Sequence, residues 1–202
     1  MAKKAKPATA LKETVIDTVA SVEPLTPTVV AAELLENRVL ASKGYAELRD
    51  RYYGKELDCR LELGFVEALY LLSKGKLAVK KGAKKMAFKE LLTFALERDK
   101  RISEKLAVYS DLRNRGLVVK TGFKFGCDFR VYQRGVGVKK GPKAPQEHTK
   151  WIVYCVPEDY NCSFAELSRA VRLAHSIRAR MLWAVVDNEG EATYLEVVRE
   201  RP

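Results

Sequence analysis

The hydrophobic period of this chain changes at Gly116. Upstream, Leu106, Tyr109 and Leu112 recur at helical spacing through residues 102–115. Downstream, residues 117–121, 127–132 and 151–156 are runs enriched in Val, Ile and aromatic side chains, the composition of extended strands. A helix stopped by a glycine and followed by strands buries its apolar stripe against a sheet, which selects a layered α/β arrangement. Ser163 with Glu166 three residues on makes a capping box. Phe164, Leu167, Val171, Ala174 and Ile177 or Arg178 then continue a helical stripe. Residues 181–187 and 192–198 read as two strands joined by the turn Asn188-Glu189-Gly190-Glu191. The C-terminal unit is therefore helix, three strands, helix, two strands.

The part before it is smaller and mixed. Between residues 61 and 73, Val66, Leu69, Tyr70 and Ser73 fall at helical spacing, and Gly75 stands where a C-terminal cap belongs. A short strand at 76–80 and a Lys/Gly turn lead to a second helical stripe, Phe88, Leu91, Leu92 and Ala95, which runs to about Arg98. Residues 1–25 are rich in Ala, Lys, Thr and Pro and read as a flexible basic tail. The expected organisation is that tail, a small α+β N-terminal domain over 26–101, and a mixed-sheet α/β C-terminal domain over 102–202.

Charge narrows the partner. Lys and Arg number 37 against 26 Asp and Glu, a formal net charge of +11, which favours a polyanion and first of all nucleic acid. No apolar run approaches the roughly 20 residues needed to cross a bilayer, and the N-terminus lacks the apolar core of a secretory signal. No membrane partner is expected, and a cytoplasmic location is. The four cysteines lack C-x-x-C spacing and only two histidines exist, so neither a metal site nor a cofactor is expected. The cysteines read as small buried side chains, with a Cys155–Cys162 bridge as a minor alternative.

Alternation through residues 127–132 puts Cys127, Phe129 and Val131 on one strand face and Asp128, Arg130 and Tyr132 on the other. Tyr132 then lies beside polar groups at a strand end, where the ordinary role is half-buried packing with the hydroxyl in water. Residues 133–147 form a basic, glycine- and proline-containing loop with Arg134, Lys139, Lys140 and Lys143, suited to phosphate contact or simply to solvation. His148 follows that loop, at the entry to the strand at Trp151, and histidine exchanges protons readily near neutral pH. His175 lies within a helix and reads as structural.

Several of these segments, in this order, resemble the archaeal tRNA-intron splicing endonuclease family. They are the continuous run 108–132, ending Gly126-Cys127-Asp128-Phe129-Arg130-Val131-Tyr132, then Glu147-His148-Thr149, and then Val171-Arg172-Leu173-Ala174-His175-Ser176-Ile177-Arg178. The resemblance covers residues 102–199. It extends more weakly over 50–100, through Tyr53-Gly54 and Leu63-Gly64-Phe65-Val66-Glu67-Ala68-Leu69-Tyr70. The basic loop before His148 looks longer than in many relatives.

The resemblance implies a metal-free ribonuclease that cleaves precursor tRNA at bulges and leaves a 2′,3′-cyclic phosphate and a 5′-hydroxyl. Tyr132 matches the tyrosine proposed to take the proton of the attacking 2′-hydroxyl, and His148 the histidine proposed to protonate the departing 5′-oxygen. An RNA 2′-hydroxyl is already held close to phosphorus, so alignment and proton movement suffice. Because a phenol ordinarily titrates near pH 10, basic surroundings must favour the phenolate, and Arg130 and the loop lysines are the expected source.

The family's lysine that would stabilise the phosphorane oxygens falls at Ala179, flanked by Arg178 and Arg180. Three readings stand open. The alanine was introduced to silence the enzyme, which the retention of Tyr132 and His148 favours; or Arg180 replaces the lysine; or the chain is a noncatalytic RNA-binding or scaffold subunit. Arg172 and Tyr194 occupy positions resembling the family's clamp, in which side chains of the opposite subunit hold a flipped bulge base; the ordinary alternative is an Arg172 solvated on its helix and a Tyr194 packed in its strand. The acidic turn with Asp187, Glu189 and Glu191 resembles a loop that docks into a basic cleft of a neighbouring subunit. The implied partners are precursor tRNA and a homo- or hetero-oligomeric assembly.

Overall fold

The computed structural model of the chain describes residues 28–136, 138 and 148–200. Strands β1 (Val30–Leu35) and β2 (Arg38–Ala41) form an antiparallel hairpin. Helix α1 (Ala46–Asp50) leads to a second hairpin, β3 (Lys55–Leu57) and β4 (Arg60–Leu63). Then come α2 (Phe65–Ser73), the hairpin β5 (Leu77–Lys81) and β6 (Lys84–Met86), and α3 (Phe88–Leu96). These six strands make one sheet in the order β3-β4-β2-β1-β5-β6, in which only the β1–β5 pair is parallel.

The second half begins with α4 (Ile102–Asn114), β7 (Val118–Thr121) and a 3-10 turn at Phe123–Phe125. It continues with β8 (Phe129–Tyr132), β9 (Trp151–Pro157), α5 (Phe164–Ser176), β10 (Arg180–Val186) and β11 (Ala192–Val197). The sheet order is β11-β10-β9-β8-β7, with β9 and β10 parallel because α5 crosses between them. The protein is thus a two-domain mixed α/β fold.

Two apolar cores hold these layers. The larger runs from the inner face of the first sheet through α2, α3 and α4 to one face of the second sheet, so the two halves share it. The Tyr70 and Tyr109 rings meet edge to face at 5.5 Å across α2 and α4. The smaller core lies between α5 and the other face of the second sheet, around Ile152, Ala170, Val171, Ala174, Met181 and Trp183.

The first half differs from the sequence expectation in its strands. Where one strand was expected there are six, and Leu61 and Leu63 lie in β4 rather than in the helix, which starts at Phe65. These strands have three to six residues, and none carries more than three buried apolar positions: β6 has one and β3 none. The strand pattern at 127–132 is also broken at its start. Phe129 and Val131 face the α4 core, but Cys127 packs in the α5 core. Asp128 turns to Arg101 (3.2 Å) and Lys105 (3.1 Å), the latter on α4. All four cysteines are thiols; Cys155 is buried and Cys162 exposed, and no bridge joins them.

One loop fastens the halves together. Arg113 of α4 donates to Arg51 O (3.1 Å) and Tyr52 O (3.2 Å), and Lys120 of β7 donates to Tyr52 O (3.0 Å) and Gly54 O. Gly54 N donates to the Glu67 carboxylate at 2.8 Å. Gly54 has φ +57°, and a side-chain carbon there would sit 2.5 Å from Glu62 O, so only glycine fits.

Candidate active site

Strand register brings three distant segments to one end of the second sheet. Val131 and Arg180 both pair with Trp151, the first residue of β9. Tyr132 therefore ends β8, His148 lies on the approach to β9, and Ala179 immediately precedes β10, with the three strands side by side. The turn out of α5 completes the placement. Arg178 takes a left-handed conformation, φ +57°, and Ala179 N donates to Ala174 O at 2.9 Å, a Schellman closure that turns the chain into β10. Ala179 packs against the α5 core.

Tyr132 is fully buried, which corrects the half-buried, water-exposed hydroxyl expected for a strand end. The physical reason is its place on β8, an internal strand between β7 and β9, on the face opposite Val131. His148 is half-buried. Arg130 is directed elsewhere: its Nε donates to Thr121 O at 3.0 Å and its guanidinium lies 5.1 Å from the Phe125 ring. It is thus held at the other end of β8 and does not serve the expected role beside the Tyr132 hydroxyl. Lys139, Lys140 and Lys143 lie outside the described residues.

Arg180 does not occupy the space beside Ala179. Ala179 and Met181 both belong to the α5 side of the sheet, so the intervening Arg180 projects to the other side, where its guanidinium pairs with Glu196 at 3.2 Å. Arg178 is exposed in the turn. Between the two strand ends, Lys150 donates its N–H to Val131 O and accepts from Arg180 N, both at 2.9 Å; its Nζ lies 4.2 Å from the Trp151 ring centroid, on the α4 face of the sheet, opposite Tyr132 and Ala179.

The two clamp candidates are not brought together within the protomer. Arg172 is exposed on α5, whereas Tyr194 packs toward the α4 core and donates to Asp111 Oδ2 at 2.8 Å. Burial, and then that bond to a carboxylate, push the Tyr194 phenol far above its usual range. The acidic turn lies at the far end of β10, about 23 Å of strand away from Ala179. Asp187 braces it by accepting from Glu189 N (3.0 Å) and Glu191 N (2.8 Å), while Glu189 and Glu191 are themselves exposed.

Other chemistries find little support among the described residues. No group of three or more His, Cys, Asp or Glu side chains is arranged to hold a metal ion. Burial pushes the Cys127 thiol up to about 11 and the Cys155 thiol well above its usual value, which disfavours thiolate chemistry at either. No helix among the described residues is long and apolar enough to cross a membrane.

Comparison with known proteins defines the class. Residues 102–194 match the tRNA intron endonuclease catalytic C-terminal domain, and residues 30–92 match the tRNA intron endonuclease N-terminal domain. The chain belongs to the tRNA intron endonuclease family. It is 40% identical over 147 residues to the tRNA-splicing endonuclease of Thermococcus kodakarensis, covering 73% of this chain and 82% of that protein. It is 34% identical over 168 residues to that of Methanococcus maripaludis, covering 82% and 91%. Against the tRNA-splicing endonuclease of Methanosarcina mazei it is 41% identical over 182 residues, 88% of this chain but 50% of the longer relative.

Proposed function

We propose that this chain is a tRNA-splicing endonuclease subunit that cleaves precursor tRNA at bulge-helix-bulge intron junctions in the cytoplasm, without a metal or cofactor. The tail is residues 1–25, the N-terminal domain 26–101 and the catalytic domain 102–202. The observation that carries the reading is the meeting of Tyr132, His148 and position 179 at one end of three adjacent strands. Tyr132 as phenolate takes the 2′-hydroxyl proton. The 2′-oxygen then forms its bond to phosphorus as the bond to the 5′-oxygen breaks, and His148 gives that oxygen its proton. The products are a 2′,3′-cyclic phosphate and a 5′-hydroxyl. Tyr132 must be uncovered when RNA binds, since it is buried here.

Ala179 supplies no charge for the phosphorane oxygens, so the chain is a slow form of the enzyme; losing one such stabilising group costs about 10²- to 10³-fold in rate. The burial of Tyr132 together with Ala179 supports a second reading, a noncatalytic RNA-binding or scaffold subunit of the same assembly. Cleavage of a bulge-helix-bulge RNA in EDTA separates the two. Ala179→Lys should raise the rate, and the gain should require both His148 and Tyr132. Absence of cleavage by Ala179→Lys in every subunit combination would leave the scaffold reading standing.

A further inference from the structure

On the α5 side of the second sheet, the face that carries Ala179 and, by alternation from Val131, Tyr132, lies a cavity of about 340 Å³. It is lined by Tyr154, Glu166, Arg169, Ala170, Leu173 and Trp183. Register builds its floor: Trp183 of β10 pairs with Tyr154 of β9, and the two rings lie 5.3 Å apart and 19° from parallel. These residues are far apart in the chain, so no local pattern marks the site. Tyr160, from the segment before α5, leans on Trp183 at 5.8 Å, and its hydroxyl donates to the Glu166 carboxylate. Tyr154 Oη is tied to Gly126 O on the other side. Glu166, Arg169, Ala170 and Leu173 recur at helical spacing and form the α5 wall.

Three features say what the cavity takes. The aromatic floor suits a flat apolar body. Arg169 is exposed, with no carboxylate partner among the described residues, and Arg172 and His175 follow it on the exposed side of α5, so the approach suits phosphate. Trp183 is 5% exposed, and its indole N–H is buried with no acceptor among the described residues. A buried donor left unpaired is unfavourable, and an entering carbonyl or ring nitrogen relieves it. A nucleobase on a phosphate backbone meets all three. Distance agrees: Trp183 is four residues beyond Ala179 on the same face, about 13 Å of strand. Stacked nucleotides advance about 3.4 Å each, so RNA held at the strand ends reaches the cavity within about four nucleotides.

We propose that this cavity binds an unstacked nucleobase of the bound RNA, packed against Tyr154 and Trp183, covered by the Arg169 guanidinium and accepting a hydrogen bond from the Trp183 indole. The site is separate from Arg172 and Tyr194, since Tyr194 packs on the α4 side. The proposal rests on the endonuclease reading for the identity of the RNA and deepens it.

The test is equilibrium binding of the full chain to a bulge-helix-bulge RNA, to versions with single abasic sites in and beside each bulge, and to a fully paired duplex. Trp151 faces the α4 core, and Trp151→Phe leaves Trp183 as the sole indole. In that background bulged RNA should quench the emission, and the duplex should not. Arg169→Ala and the cavity-filling Ala170→Leu should each weaken bulged RNA about 5- to 150-fold, the loss of one stacked base. Trp183→Phe, which keeps a ring but not the donor, should lose less. One abasic position should abolish the quench, and with that RNA Ala170→Leu should bind like the unaltered chain. Far-UV circular dichroism checks folding, and Leu173→Phe replaces Ala170→Leu if that variant fails to fold. Unchanged emission, unchanged affinity in the cavity-filling variant, or equal losses for bulged and paired RNA would each overturn the proposal. An unaltered chain that does not prefer bulged RNA to the duplex would remove the endonuclease reading as well.

Discussion

Arg113 is the buried charged residue that ties the catalytic sheet to the first domain, and its removal should be felt across the molecule. The residue is 7% exposed. Its guanidinium donates to Tyr109 Oη (3.1 Å), Arg51 O (3.1 Å) and Tyr52 O (3.2 Å), and it stacks 3.9 Å from the Tyr53 ring centre. Hydrogen bonds from a charged donor contribute about 1.5–3 kcal/mol each. Three of them on one side chain are not additive, so Arg113→Ala should cost roughly 3–5 kcal/mol. Against a total stability of about 5–15 kcal/mol this is a large fraction, and it should lower Tm by on the order of 10 °C. Arg113→Lys keeps the charge but not the planar fork and should lose an intermediate amount. Arg115→Ala, two residues on, removes a partly exposed pair with Asp111 and should cost about 1 kcal/mol or less. Urea unfolding of the three variants reads these differences. The loop at 51–54 also supports β7 through Lys120, and β7 pairs Val118 with Tyr132. Amide exchange in β7 should therefore quicken in Arg113→Ala before global unfolding. If Arg113→Ala is no less stable than Arg115→Ala, the loop does not fasten the domains and the reasoning fails.

Three further outcomes are expected. Alanine at Lys139, Lys140 and Lys143 together should weaken RNA binding and flatten its dependence on salt; an unchanged slope means the loop makes no phosphate contact. Reversing Glu189 and Glu191 to lysine should dissociate the oligomer in sedimentation with the turn intact, because Asp187 alone accepts the bracing N–H groups; an unaltered assembly would mean the turn does not dock. The pH dependence of stability should reveal the Asp99–Lys105–Asp128 cluster. Burial opposes the charge on Asp99, but the hydrogen bond from Lys105 (2.6 Å) prevails and holds its carboxyl below the usual value. Burial likewise opposes the charge on Lys105, and its two carboxylate partners prevail and raise it. A lowered acid stabilises above its unfolded value of 3.8 and loses that contribution as pH falls through the folded one. A raised lysine stabilises below 10.5 and loses its contribution as pH rises through the folded value. Lys105→Met should thus be less stable than the unaltered chain by the widest margin between about pH 5 and 9. A margin independent of pH would show that packing, and not charge, is what Lys105 contributes.

The four longer helices, α2 to α5, and the second sheet were legible from the chain because their signals are local, whereas α1, five residues long, was not. Leu106, Tyr109 and Leu112 mark α4 within three turns, and Ser163 with Glu166 marks the start of α5, where Glu166 N does donate to Ser163 Oγ at 3.2 Å. The first sheet was mostly illegible. Strands as short as Lys55–Leu57, exposed along their whole length, carry no period to read and exist through pairing with β4.

What the sequence determined by itself was therefore element type over the long periodic segments, the basic balance that suits a nucleic acid, and the succession of motifs around Tyr132, His148 and position 179. Register and layer were decided only by the tertiary structure. Pairing of Val131 and Arg180 with the same residue of β9 places Tyr132 and Ala179 on either side of Lys150. The same register sends Arg180 to Glu196, and the packing of α4 and α5 on opposite faces keeps Tyr194 apart from Arg172. A one-residue slip would exchange these faces. Residues far apart in the chain set that register through backbone hydrogen bonds and shared cores, and no local window of sequence contains both partners.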